Sequence, residues 1–279
     1  VGGPKISSNV ATGTNANASG DGSFNTANGP GANASGTNSF NVAIGSAANA
    51  IGNNTSSNIA AGTSANAHGD ASNNSALGTG SDASGNQSNN IAFGTLANAS
   101  GSAIGTTASL NIAIGDAANA SGDAGKNIAT GNSANASGGN GKNIALGPQA
   151  NGSGDQSVNI AIGSTSDAHG FLSLNLAVGA QAVAFGAGSS NVALGDNAQA
   201  TGGGSFNTAT GTNAVAIGAN SRNVASGFNA NARGDSSHNV ATGDSANASG
   251  GNNATPSFNV ATGSTANASG TNSANTATG

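Results

Sequence analysis

Three histidines, ten aspartates and five Lys or Arg residues are the titratable side chains of this 279-residue chain. His68, His169 and His238 lie far apart, so they give no metal-ligand spacing within one chain. Asp21, Asp70, Asp123, Asp155 and Asp235 each follow a Gly, a turn position where Asp hydrogen-bonds local backbone. Ser and Thr abound, but Glu and Cys are absent, so nucleophile–base–acid groupings, disulfides and thiolate-bound metals have no residues to build them. The many glycines form no G-x-x-x-x-G-K-[ST] phosphate loop. A net charge of −5 without a basic run speaks against nucleic acid. The chemistry on offer is therefore hydrogen bonding from a surface, and the chain reads as no enzyme and as needing no cofactor or metal.

The elements that carry these residues follow from one pattern. Seventeen times the pentad Asn-x-Ala-x-Gly returns, usually after 16 residues, as at Asn41-Val42-Ala43-Ile44-Gly45, Asn111-Ile112-Ala113-Ile114-Gly115 and Asn159-Ile160-Ala161-Ile162-Gly163. A short fixed period means that each unit must stack on its neighbours to bury anything. The whole unit reads N-x-A-x-G-x-x-A-x-A-x-G-x-x-S-x: two alternating segments, each closed by a Gly. Alternation at period two predicts strands, and nothing recurs at helical spacing. The expected fold is all-β: a parallel β-roll or solenoid of about 17 coils, spanning 1–279 as one repetitive region. Apolar stretches of only a few residues predict no membrane span in this segment.

The slot before the pentad Ala is Val, Ile or Leu in thirteen copies, and the slot after it is apolar through the middle of the chain. The expectation is that this Val/Ile column packs inward against the Ala residues of the second segment, leaving an outer stripe of Asn and Ser. The pentad's own Asn and Ala, the same in every copy, then take the remaining face. Either another chain comes close there, or an internal corner is tight.

Candidate binding positions fall into three groups. The stripe comprises Asn17, Asn33, Asn98, Asn119, Asn135, Asn247 and Asn267, whose parallel amides suit either a repetitive partner or plain solvation. Two longer insertions predict protruding loops, one with Ser102, Ile104 and Thr106, the other with Asn252, Asn253 and Pro256. Ser102-Ala103-Ile104-Gly105 resembles an extra or displaced strand. Finally, Lys126, Lys142, Arg222 and His238 share the slot before the pentad Asn, an interrupted basic column read as solvated corner charges. Phe24, Phe40, Phe206 and Phe258 occupy the same slot and are expected to cap the apolar column or bridge subunits.

The repeated V-A-I-G segments followed by A-x-A-x-G, as in Asn41 to Gly45 with Ala48-Asn49-Ala50, resemble the YadA-like head repeats of trimeric autotransporter adhesins. The likeness covers nearly the whole chain. It implies a left-handed parallel roll, three rolls packed as a homotrimer, and a bacterial cell-surface adhesin anchored at the outer membrane by a C-terminal region beyond this segment. Such a head would attach to extracellular matrix protein, glycan or an abiotic surface, a role tied to virulence. The 16-residue period is longer than the family's usual one, and Thr often replaces the second apolar residue. Two other functions fit a solenoid: ice binding, hinted at by Thr208-Ala209-Thr210 and Thr276-Ala277-Thr278, and a structural fibre or sheath subunit without a ligand.

Overall fold

The computed structural model describes residues 6–252 and 254–279. Among them are twenty three-residue strands and no helix, so none is long and apolar enough to cross a membrane. The chain is a parallel β-solenoid of about 17 turns of roughly 16 residues, divided between a unit at 1–142 and a unit at 143–279.

In the first unit the strands are β1 Val10–Thr12, β2 Thr26–Asn28, β3 Val42–Ile44, β4 Ile59–Ala61, β5 Ser75–Leu77, β6 Ile91–Phe93, β7 Ile112–Ile114 and β8 Ile128–Thr130. Each pairs in parallel with the next, Ala against Ala. The second unit continues the pattern with β9 Ile144–Leu146, β10 Ile160–Ile162, β11 Leu176–Val178 and β12 Val192–Leu194. From there a second strand enters some turns: β13 Gln199–Thr201, β15 Val215–Ile217 and β17 Asn231–Arg233 form their own parallel sheet. The pentad strands β14 Thr208–Thr210, β16 Val224–Ser226, β18 Val240–Thr242, β19 Val260–Thr262 and β20 Thr276–Thr278 complete the main ladder of that unit. In most other turns the second segment makes only single bridges at its Asn, Asp or Val, as between Asn98 and Asn119.

In the pentad strand inside and outside are the reverse of the sequence expectation, whereas the second segment turns its Ala residues inward and its Asn outward as expected. Among the described residues every buried apolar side chain is Ala, chiefly the pentad Ala, such as Ala161, and both Ala of the second segment, such as Ala48 and Ala50. The pentad Asn is buried with them in turn after turn, and so is the Ser two positions before it. Val and Ile face outward, with Ile44 47% and Phe93 55% exposed. The physical reason is width. A 16-residue coil folded back on itself leaves room for methyl groups between its walls, and Val or Leu would force the walls apart. The tight internal corner, one of the two explanations open for the small invariant slot, accounts for it.

An Ala core buries little apolar area per turn, so hydrogen bonds carry a larger share of the stability. Asn159 illustrates the scheme. Its Oδ1 accepts the Asn175 N–H (3.1 Å) and the Ser173 hydroxyl (2.9 Å), while its Nδ2 donates to the carbonyls of Ser153 (3.0 Å) and Gly170 (2.9 Å). Asn25 does the same with Asn41, Ser39, Ser19 and Gly36. All four hydrogen-bonding sites of a primary amide are used, which is what makes its burial affordable. Gly at the pentad end is equally determined. Gly147 has φ +131, and a Cβ there would lie 2.6 Å from the Gly163 carbonyl oxygen of the next turn.

Candidate functional surface

In each unit the buried ladder leaves a candidate surface, the outward face of the pentad strands. Its columns flank the pentad Ala, so each strand offers two outward side chains: Val42 and Ile44, Ile112 and Ile114, Ile160 and Ile162. Parallel pairing in register stacks them into ranks about 4.8 Å apart. Aliphatic ranks dominate from β3 to β12, with Ser75, Ala61 and Thr130 as interruptions. In β14, β16, β18, β19 and β20 the ranks turn to Val, Thr and Ser. Of the structural repeat residues, Asn41, Ala43, Asn111, Ala113, Asn159 and Ala161 are buried behind this face, and Gly45, Gly115 and Gly163 are half-buried at the strand ends.

The Asn stripe is largely committed to its own structure. Asn98 Oδ1 accepts both the N–H (3.0 Å) and the hydroxyl (2.7 Å) of Ser100, and Asn119 and Asn135 treat Ser121 and Ser137 the same way. Asn17 and Asn33 accept the N–H of Ser19 and Ser35, and Asn247 donates to Asn267 at 3.1 Å. These amides are half-buried, except those of Asn17 and Asn267, which are exposed. Side-chain bonds between turns join such amides only in places, as Asn49 to Asn66 at 3.2 Å and Asn231 to Asn247 at 3.0 Å, in an interrupted outer amide ladder.

Turn aspartates act between turns. Asp70, Asp123 and Asp235 each accept, through Oδ1, a backbone N–H from the preceding turn, at Asn53, Ser102 and Ala219 respectively, all at 2.8 Å. Asp123 thereby anchors the base of the first inserted loop. That loop is a tight turn rather than an extra strand: Ile104 and Thr107 exchange backbone hydrogen bonds at 3.0 and 3.1 Å, with Gly105 and Thr106 at the exposed tip. Five residues beyond the 16-residue period are too few to add a rung, so the insertion closes on itself. Beside it His68, Ser84, Asn86, Ser100, Ser102 and Asp123 help line a polar depression of about 380 Å³. The second loop repeats the device, with Asn252 and Thr255 exchanging backbone hydrogen bonds at 3.0 and 3.1 Å and Pro256 exposed. Asn253 lies outside the described residues. This insertion disturbs the core locally: the buried Ser257 hydroxyl has no partner among the described residues, and Ser237 turns its own to the Asp235 carbonyl.

Two features lay outside the reach of periodicity. His169 Nδ1 lies 2.6 Å from Asp167 Oδ1, and its ring stacks on Phe185 with centroids 5.1 Å apart. The hydrogen bond to Asp167 raises the His169 pKa, and the carboxylate charge adds to this against partial burial. Spacing of two along a strand segment was the available signal, since it puts both side chains on one face. The Phe column also proves to be a stack: Phe24 and Phe40 lie 5.3 Å apart and within 7° of parallel. Both rings are exposed, Phe24 by 45% and Phe40 by 54%.

The fold and surface define a β-solenoid with an amide-laddered core and outward apolar ranks. No family model and no characterised protein matches this chain.

Proposed function

We propose that this chain is a non-enzymatic adhesin head: a homotrimer of left-handed rolls, displayed on a bacterial surface, that attaches to matrix, cells or solid surfaces. The observation that carries the reading is the outward aliphatic ranks, which the core does not use. Contiguous exposed apolar area of this kind marks an interaction site. The ranks recur about every 4.8 Å, a spacing that a second copy of the chain shares, so it can cover them in register. With those ranks turned toward other copies, the amide ladder and the inserted loops at Ile104 and Pro256 face outward for attachment. The test is adhesion of the purified chain to immobilised matrix proteins, glycans and bare plastic. Retention on at least one of these, above that of an unrelated solenoid, is expected; no retention on any of them refutes the attachment role.

Ice binding is the second reading, favoured by the terminal turns of the second unit. There Val240-Ala241-Thr242, Val260-Ala261-Thr262 and Thr276-Ala277-Thr278 present regular outward Val and Thr on three consecutive strands. Thermal hysteresis in dilute solution supports this reading, and its absence eliminates it.

A further inference from the structure

Four consecutive turns of the second unit place Phe206, Arg222, His238 and Phe258 in one column, immediately before the pentad Asn. Backbone hydrogen bonds link them rung to rung: Phe206 N–H to Ser221 O, Arg222 N–H to Ser237 O and His238 N–H to Ser257 O, the first two at 2.9 Å and the third at 3.0 Å. The Arg222 guanidinium carbon sits over the Phe206 ring, 5.8 Å from its centroid. The His238 ring stacks on Phe258 at 5.3 Å and 5°. All four side chains are exposed, the two phenylalanines by 54% and 53%. Beside them Gly204, Phe206, Asn220, Ser221, Arg222 and His238 line a depression of about 260 Å³.

Stacking decides what such a column can recognise. Rings facing one another use their negative faces internally and present their edges, the positive end of the quadrupole. Arg222 adds a permanent charge and a fork of N–H donors, held in place by the ring beneath it. It makes no ion pair among the described residues. Asp235, three residues before His238, has its Oδ1 engaged with the Ala219 N–H. The column's own outward features thus favour negative charge, although Asp235 keeps its carboxylate charge and the chain as a whole carries −5. The equivalent Phe24–Phe40 stack has Ser8 and Ser57 on either side and no cation.

We propose that the Phe206–Arg222–His238–Phe258 column is a binding site for a polyanionic glycan, a chain bearing sulfate esters or carboxylates. This gives the attachment reading a ligand class. Binding is read on the soluble chain, so the site can fail while adhesion to other surfaces stands, and it can succeed without adhesion by cells.

Immobilised dextran sulfate, carboxymethyl dextran and uncharged dextran are the probes, with the full chain in solution at low and high salt. Binding to one or both charged polymers, weakened by salt and absent on plain dextran, is expected, and the stronger of the two identifies the anion. Arg222→Gln removes one charge-assisted contact and should weaken binding about tenfold. Arg233→Gln makes the same change of charge at an exposed site in another column and should leave binding unchanged, as should Phe24→Ala. Phe258→Ala, which strips the ring from His238, should weaken binding as well. Equal losses from Arg222→Gln and Arg233→Gln would mean diffuse attraction and overturn the proposal. So would equal binding to plain dextran, or none to either charged polymer.

Discussion

Asn175 donates its backbone N–H to the side-chain oxygen of Asn159 one turn earlier, across 3.1 Å, in a position where neither residue touches solvent. A side chain here completes the backbone ladder. The strand residues on either side bond main chain to main chain, and the buried amide supplies the acceptor at the point where the coil turns away. Repeated through both units, this link makes Asn the structural signature of the repeat.

Removing one amide should therefore cost more than removing a surface group. Asn159→Ala strands the Asn175 N–H, the Ser173 hydroxyl and the Gly170 carbonyl, and leaves the Ser153 carbonyl only the Gly170 N–H; unpaired buried groups cost about 1–3 kcal/mol each. A loss on the order of 3 kcal/mol or more is expected in urea unfolding. Hydrogen exchange should lose protection first around residues 159–175, because stability in a solenoid passes between neighbouring turns. Uniform protection in the variant would show that the ladder is dispensable.

Bulk should be tolerated on one side of the strand only. Ala161→Leu inserts methylene groups between walls spaced for methyls and should destabilise by about 3 kcal/mol or prevent folding. Its neighbour Ile162→Thr faces outward and should leave the monomeric fold within about 1 kcal/mol of the parent. Ala145→Phe should behave like Ala161→Leu. Thermal melts followed by circular dichroism separate the two faces, and similar melts for Ala161→Leu and the parent would refute the narrow core.

Two glycines offer a sharper contrast. Gly147→Ala drives a methyl into the Gly163 carbonyl, backbone against backbone, so the turns must separate. Gly188 has φ +60 with open space around its Cα, and its slot holds Gln156 and Leu172 in other turns. Gly188→Ala should cost only the left-handed strain, about 1 kcal/mol, and Gly147→Ala several-fold more. Equal costs would mean that stacking distance is not what selects glycine at the pentad end.

His169 gives a pH signature. Its folded pKa is raised, chiefly by the hydrogen bond to Asp167, so the stabilisation belongs to the protonated form. That contribution is fully present below the unfolded value of about 6.5 and is lost as pH rises through the higher folded value. Asp167→Asn should bring the imidazole titration, followed by proton NMR, down toward the ordinary range. An unmoved titration would show that the carboxylate does not set it.

Much of this architecture is legible in the sequence. The pentads Asn41–Gly45, Asn111–Gly115 and Asn159–Gly163 mark strands, and the glycines mark corners, because period two and left-handed turns leave direct traces in residue type. The sense of the faces was not legible. Both faces of Val42-Ala43-Ile44 could be buried on hydrophobicity alone, and a polar Asn reads as surface until its partners are known. The missing signal was the Ser two positions before Asn, as in Ser39 and Asn41 or Ser173 and Asn175. A donor recurring beside an invariant amide marks a hydrogen-bonded interior pair. The period places the Asn98-type residues in one rank, but the engagement of Asn98 with Ser100 depends on a side-chain rotamer that sequence does not encode.

Outward ranks of Val, Ile and Leu left uncovered by the fold itself are the centre of this picture, and the mass of the particle in solution addresses them most directly. Multi-angle light scattering on the purified chain should give three times 25.6 kDa, falling to the single-chain mass when Ile114, Leu146 and Ile162 are changed together to Thr with the fold intact. A parent chain that remains at 25.6 kDa at every concentration would contradict it.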